Sequence, residues 1–219
     1  MTPERFLKLR TVLDRRQPDL TVLMDNVHKP HNFSAVLRTC DAVGVYEAHG
    51  VWPRAELQPH REIASGVAKW VRIRTHPTLQ DAFAALRASG FSVYAAHASA
   101  SAHDYRDVSY TRPVAILLGA ELHGLGEQSL ALADAHIAVP MMGFGASLNV
   151  SVAAATILFE AQRQRLQAGF YPQPRLTPRE YARTLFEWAH PAAAEHCRRT
   201  GRSYPPLDES GNIIDEHQE

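Results

Sequence analysis

The sequence predicts an α/β fold with a mostly parallel sheet covered by helices on both faces. Short apolar segments alternate along the chain with segments of helical periodicity. The apolar segments are hydrophobic almost throughout, as strands are when both faces of a parallel sheet are buried. The composition, 45% hydrophobic and 21% charged, is that of a globular protein with a buried core.

The predicted elements follow one another without an internal repeat. Strands are predicted in the segments LTVLMDNV, VYEAHGVW, WVRIRTH, FSVYAAHA, PVAILLGA and HIAVPM, with a further short segment near REIASGVA at 61–68. Helices are predicted over residues 3–14, about 32–43, 79–89, about 149–168 and 178 to about 188, with a short one ending at Gly201.

Capping residues support several of these helices. Thr78 is a typical N-cap residue with an acid at the third helical position, and Gly90 lies just past the predicted end. Thr177 and Glu180 have the same spacing, with a proline at the first helical position. Three parts are therefore expected: an N-terminal helical arm at 1–18, a main domain at 19–169, and a C-terminal helical extension with an acidic tail at 170–219.

The zero net charge of the chain conceals an uneven distribution. Residues 1–16 hold five Lys/Arg against two acids, residues 160–202 hold eight Arg against four acids, and residues 203–219 hold five acids and no Lys or Arg. Two basic segments flanking a neutral core would suit a phosphate-rich partner, although solvated helix faces explain the same pattern. The candidate RNA-binding residues are Arg10, Arg15, Arg16, Arg163 and Arg165.

Several classes of protein are disfavoured by the pattern. No apolar run approaches the length of a membrane span, and the N-terminus lacks the apolar stretch of a secretory leader, so a cytoplasmic protein is expected. Cys40 and Cys197 are far apart, which suggests neither a disulfide framework nor a zinc site. His28 and His31 lack a further acid or cysteine that would complete a metal site, and no metal is expected.

Three segments hold unusual residues at positions suited to a ligand. In the first, Asn32 and Arg38 are expected on or near the exposed side of one helix, six positions apart. An arginine near a helix start is poorly placed against the helix dipole, and a bound phosphate would offset this. An ion pair between Arg38 and Asp41 is the alternative interpretation.

The other two segments each follow a predicted strand. Glu121 lies in a glycine-containing loop after ILLG, where ligands collect in parallel sheets, although a helix-capping role is also open. A loop with Gly143 and Gly145 then leads to Ser147 and Asn149, which are suited either to a ligand or to capping the next helix.

Together these segments resemble the SpoU, or TrmH, family of SPOUT methyltransferases. The family's motif N-x-x-A-x-x-R-T-x-D-x-x-G matches residues 32–44, L-G-x-E-x-x-G-L matches residues 118–125, and I-x-V-P-M followed by S-L-N-V-S-V-A matches residues 137–153. The resemblance weakens after Gly169.

The resemblance implies more than the residue pattern alone predicts. It implies a deep trefoil knot at about 115–169, a homodimer, and S-adenosylmethionine bound mainly through backbone groups of Ala96, Gly119, Val139 and Leu148. The implied catalytic residues are Arg38, Asn32, Glu121, Ser147 and Asn149. The resemblance implies that Arg38 activates the 2'-hydroxyl with the help of a substrate phosphate. Because a guanidinium stays protonated in proteins, the alternative is that Arg38 fixes the phosphate and stabilises alkoxide charge, with Asn32 holding the arginine.

The implied reaction is 2'-O-methylation of the ribose of guanosine 18 in the D-loop of tRNA. Ribosomal RNA is the alternative substrate, but related rRNA enzymes often carry an added N-terminal RNA-binding domain, and about 30 residues precede the first motif here. A non-catalytic RNA-binding protein or chaperone is a further alternative, which the intact catalytic residues disfavour.

Overall fold

A computed structural model describes residues 1–52 and 69–214 of the chain. The chain divides into two compact units, a larger one over Gln17–Phe170 and a smaller one made of Met1–Arg16 and Tyr171–Glu219. In the described part of the chain, no helix combines the length and apolar character needed to cross a membrane. The segment at 61–68 and residues 215–219 of the acidic tail lie outside the described residues.

The larger unit is built on one parallel sheet. Its described strands are β1 Leu20–Asp25, β2 Glu47–Val51, β3 Arg72–His76, β4 Ser92–Ala96, β5 His103–Asp104, β6 Val114–Leu118 and β7 Ala135–Ala138. Their spatial order is β3-β2-β1-β6-β4-β7-β5, and every neighbouring pair is parallel. The predicted α/β class is confirmed, and the two-residue strand β5 was not predicted.

The core lies on both faces of the central strands. In β6, Val114, Ile116 and Leu118 pack into one apolar cluster, whereas Ala115 and Leu117 pack into another. All five side chains are buried, because alternate residues of a strand point to opposite faces of the sheet. The prediction from the continuous apolar segments, that both faces of the sheet are buried, is therefore confirmed for β6.

The described helices agree closely with the predicted ones. They are α1 Pro3–Asp14, α2 Pro30–Val43, α3 Leu79–Ala88, α4 Glu127–Leu132, α5 Val150–Gln167, α6 Pro178–Ala189 and α7 Pro191–Thr200. Helix α2 packs against α5 in the larger unit, and α1 packs against α6 in the smaller unit. The short helix α4 was not predicted.

Local capping explains where the helices begin and end. The Thr78 hydroxyl accepts a hydrogen bond from the backbone N–H of Asp81 at 3.1 Å, which satisfies one free donor at the start of α3. Thr177 and Glu180 form a reciprocal capping box at the start of α6. Gly44 ends α2 with φ 85°, a left-handed conformation that favours glycine.

Candidate functional site

A cavity of about 390 Å³ opens at the carboxyl edge of the sheet. The loops that follow β4, β6 and β7 line it, together with the start of α5. Loops beyond the carboxyl ends of parallel strands are where such folds bind ligands. The lining includes all four residues that the resemblance assigned to the cofactor, Ala96, Gly119, Val139 and Leu148, as well as Glu121, Ser147 and Asn149.

The residues present suit a nucleoside cofactor of the expected kind. Leu118, Ile137 and Ile157 give the cavity an apolar wall, while the loop backbones contribute polar groups. The volume lies in the range of small-molecule sites, which is roughly 300–1,000 Å³. The cavity can therefore accept an adenosine and its amino-acid side chain.

A chain of hydrogen bonds joins the three motif segments at the mouth of the cavity. Asn32 Nδ2 donates to Glu121 Oε1 at 2.9 Å, and Asn149 Nδ2 donates to Asn32 Oδ1 at 3.2 Å. The Glu121 carboxylate also accepts the backbone N–H of Lys29 at 3.1 Å. These bonds fix the positions of three segments relative to one another: the start of α2, the loop after β6 and the start of α5.

The side chain of Asn32 faces inward, contrary to prediction. Asn32 is only 3% exposed, because its amide is used on both sides in the network with Glu121 and Asn149. The expectation that Asn32 holds Arg38 is also wrong in this structure, since the Asn32 side chain is bonded to these two partners instead. Helical periodicity predicted Asn32 near the exposed side because it takes no account of hydrogen-bond partners in distant loops.

The environment of Glu121 favours its ionised form. Burial alone would raise the pKa of the Glu121 carboxyl, but hydrogen bonds from Asn32 and from backbone amides, together with nearby His28, bring the pKa below its usual value. Glu121 therefore serves as a fixed negative charge that receives donors from the start of α2.

Asn149 combines the two roles that the sequence left open. Its Oδ1 accepts the backbone N–H of Ser151 at 2.8 Å and so caps α5, while its Nδ2 belongs to the network at the cavity mouth. Ser147 is exposed and lines the same cavity. Among the residues that the structure describes, the Ser147 hydroxyl has no hydrogen-bond partner and remains available to a ligand.

Arg38 lies on the exposed side of α2, as predicted. Within residues 1–52 and 69–214, no side chain pairs with its guanidinium, so the alternative ion pair with Asp41 does not form. An exposed guanidinium two turns from Asn32 on the same helix is suited to bind a phosphate.

The candidate RNA-binding arginines differ in exposure. Arg10 and Arg15 are exposed, and Arg163 is half-exposed with a bidentate ion pair to Glu160. Arg16 and Arg165 are completely buried. The prediction that these two contact RNA directly is therefore corrected, because a buried guanidinium does not reach a phosphate at the surface.

Each buried arginine has a structural environment of its own. The Arg16 guanidinium lies over the Trp188 ring, 5.3 Å from its centre, within the smaller unit. Arg165 forms an ion pair with Asp19 at 2.6 Å and donates to the backbone carbonyl of Tyr110 at 2.8 Å. Of the two arginines of α5, Arg163 and Arg165, the second thus serves the core.

His28 lies beside the network and was missed as a site residue. It was considered only as a metal ligand, yet its Nδ1 lies 3.1 Å from Glu121 Oε2. Its position just after β1, at the carboxyl edge of the sheet, was the signal that could have identified it.

Replacing Gly119 with alanine is expected to weaken cofactor binding by about tenfold or more. A Cβ at this position would overlap the backbone carbonyl of Gly124 and the amide of Leu125, and such overpacking costs about 1–3 kcal/mol. Calorimetric titration with S-adenosylhomocysteine measures the effect. Gly126→Ala is the matched control, because its Cβ would meet nothing within 4 Å, and equal affinities for the two variants would contradict the expectation.

Comparisons with known proteins agree with one another. The sequence profile of the SpoU rRNA Methylase family matches residues 19–159, and the profile of the C-terminal region of SpoU rRNA methylases matches residues 163–216. The chain is 56% identical over 187 residues to the tRNA (guanosine(18)-2'-O)-methyltransferase of Thermus thermophilus, an alignment that covers 85% of this chain and 96% of the relative.

Solved structures show the same similarity. The crystal structure of the A. aeolicus TrmH/SpoU tRNA modifying enzyme has a TM-score of 0.79 and 39% identity, covering 86% of this chain and 96% of that chain. The SpoU methyltransferase AviRb from Streptomyces viridochromogenes, in complex with the cofactor AdoMet, has a TM-score of 0.59 and 26% identity, covering 70% of this chain and 62% of that chain.

Proposed function

Because the chain belongs to the SpoU rRNA Methylase family, we propose that it transfers the methyl group of S-adenosylmethionine to the 2'-hydroxyl of guanosine 18 in tRNA. The main support is that the three motif segments meet at one cavity. Hydrogen bonds between Asn32, Glu121 and Asn149 join these segments there. A tRNA substrate also implies a cytoplasmic enzyme.

The cavity residues are suited to bind and orient the cofactor. S-adenosylmethionine, when bound, supplies a methyl group on a positively charged sulfur. Ala96, Gly119, Val139 and Leu148 would hold it largely through their backbone groups, with the adenine against the apolar wall. Orientation of both reacting partners contributes much of the acceleration in such a transfer, because it removes the entropy cost of bringing them together.

Arg38 is proposed to bind a phosphate next to the target ribose and to stabilise the negative charge that develops on O2'. Its exposed guanidinium offers a planar set of donors that an oxyanion accepts. Ser147 offers a further hydroxyl at the cavity, and the network of Asn32, Glu121 and Asn149 keeps the surrounding loops in position.

We also propose that residues 19–169 form the methyltransferase domain and that the chain forms a deep trefoil knot at about 115–169 within it. Support comes from the strand order, in which β6 and β7 lie on either side of β4, and from the loops after these strands, which return to the same cavity. The arm at 1–18 and the extension at 170–219 would bind tRNA. Arg10, Arg15 and Arg163 are the arginines proposed for phosphate contacts, since their side chains reach solvent.

The exposed face of α5 supports a homodimer. Val152, Phe159 and Leu166 are exposed and lie seven positions apart, so they form one stripe along the helix. Met142 and Phe144 add exposed apolar area in the loop before α5. Exposed apolar side chains of this kind are what an interface between two copies buries.

Phe159→Glu is expected to convert the proposed dimer to a monomer, because it places a charge at the centre of the apolar stripe. Light scattering coupled to size-exclusion chromatography measures the mass directly. Gln167→Glu is the control, since it adds the same charge to an exposed residue of α5 outside the stripe. A native protein that runs as a monomer, or a Phe159→Glu variant that remains dimeric, contradicts this interface.

Tritiated methyl transfer tests the proposed function. The protein is incubated with labelled S-adenosylmethionine and either an unmodified tRNA transcript or an rRNA transcript. We expect label in tRNA and almost none in rRNA. Incorporation confined to rRNA would assign the alternative substrate, and incorporation into neither would remove the proposal.

A further inference from the structure

The proposed reaction requires a group that accepts the proton of the ribose hydroxyl. A guanidinium keeps its proton in proteins, so Arg38 is unsuited to this task. The Glu121 carboxylate is committed to donors from Asn32 and Lys29, and its lowered pKa makes it a weak base. The amide of Asn149 has no useful basicity. The candidates for a base are therefore the neighbouring titratable side chains outside this network.

His28 has the geometry of a base beside this site. Its Nδ1 lies 3.1 Å from the backbone carbonyl of Asn26 and 3.1 Å from Glu121 Oε2. Both neighbours are acceptors, so Nδ1 carries the hydrogen and the neutral ring keeps its free lone pair on Nε2. The contact with Asn26 has hydrogen-bond geometry, whereas the contact with Glu121 is close but does not meet hydrogen-bond geometry.

The second oxygen of Glu121 is otherwise unused. Oε2 is buried, and apart from the contact with His28 it has no polar partner among the residues that the structure describes. A buried carboxylate oxygen without a donor is costly. A positive charge on the neighbouring imidazole would offset that cost, and would do so only once the ring has gained a proton.

The backbone around His28 is also specialised. Asn26 has φ 55°, in the left-handed region that asparagine adopts more readily than most residues, and its N–H donates to the Val51 carbonyl at 3.0 Å. Lys29, on the other side of His28, donates its N–H to Glu121. His28 is thus held between two fixed residues, while 46% of its side chain remains exposed.

From this arrangement we propose that His28 is the general base of the methyl transfer, an inference that rests on the proposed function. Nε2 of His28 accepts the proton from the ribose 2'-hydroxyl as the bond between O2' and the methyl carbon forms. The bond from that carbon to sulfur breaks, and its electron pair stays on the sulfur of S-adenosylhomocysteine. Glu121 stabilises the resulting imidazolium, which releases its proton to solvent through the exposed ring.

His28→Gln tests the proposal in single-turnover methylation of unmodified tRNA, which isolates the chemical step. We expect the rate to fall by about 10²-fold or more, the usual contribution of a general base. Affinities for tRNA and for S-adenosylhomocysteine should stay within about twofold, because only one step is affected. His103→Gln, at another exposed histidine of the larger unit, is the control and should keep the full rate.

The pH profile separates a base from a residue that only positions Glu121. Among the residues that the structure describes, no ionisable side chain other than Glu121 contacts the His28 ring. The rate of the unchanged protein should fall as the pH drops, because a protonated Nε2 accepts nothing. This limb should be absent in His28→Gln. Added imidazole should restore part of the rate of His28→Ala, where the side chain leaves space.

Three results would overturn the inference. A His28→Gln variant with a rate within about threefold of the unchanged protein would exclude a base at this position. A slow variant that keeps the acidic limb, or a His28→Ala variant that imidazole does not restore, would show a positioning role only. Absence of methyl transfer by the unchanged protein would overturn the proposed function together with this inference.

Discussion

Arg38→Lys is expected to lower the single-turnover rate of methyl transfer by about 10²- to 10³-fold, the loss typical when one donor to a developing oxyanion is removed. Lysine keeps the positive charge but lacks the planar set of donors that binds two oxygens of a phosphate at once. Cofactor affinity should be unchanged, because Arg38 does not line the cavity. Tritiated methyl transfer and calorimetric titration measure the two quantities.

The control for this experiment is Arg87→Lys, on α3. Arg87 is about half-exposed and donates to the carbonyl of Leu132, outside the cavity, so its replacement should leave the rate unchanged. Near-normal turnover of Arg38→Lys would exclude both roles proposed for Arg38, phosphate binding and charge stabilisation.

Arg165→Ala is expected to lower the free energy of unfolding by about 3–5 kcal/mol, the cost of removing one partner from a buried ion pair. The variant would remove the ion pair with Asp19 and the donors to the carbonyls of Tyr110 and Arg112. These contacts join α5 to the start of β1 and to the loop before β6. Urea unfolding followed by circular dichroism measures the change.

Arg163→Ala is the matched control, two residues away on α5. Its guanidinium is half-exposed and pairs with Glu160 within the helix, so its removal should leave the urea midpoint nearly unchanged, because solvent screens exposed ion pairs. If both variants unfold at the same urea concentration as the unchanged protein, the structural role of Arg165 is wrong. A loss of tRNA affinity in Arg163→Ala without a loss of stability would support direct contact by Arg163.

Much of the fold followed from local signals in the sequence. The helix caps at Thr78, Thr177 and Gly44 depend on residues within four positions, so they could be identified without knowledge of the tertiary structure. The strands could likewise be predicted as buried, because their segments are apolar almost throughout. The two elements that were missed, β5 and α4, have two and six residues, too few to establish a periodicity.

The side-chain environments were less predictable because they depend on distant partners. Arg165 has the sequence context of a basic surface helix, yet its ion-pair partner Asp19 lies 146 residues away. Asn32 is turned inward by Glu121, from 89 positions along the chain. The residue pattern suggested the polar residues of the site and the resemblance gave them roles, whereas their hydrogen-bond partners, and the position of His28, required the structure.

Methylation of two tRNAs that differ at one atom tests whether the protein is a ribose methyltransferase specific for guanosine 18. One is unmodified, and the other carries 2'-deoxyguanosine at position 18. We expect one methyl group per molecule in the first, mapped by nuclease digestion and mass spectrometry to the ribose of guanosine 18, and none in the second. Equal methylation of both transcripts, or a methyl group on another nucleotide or on a base, would contradict it.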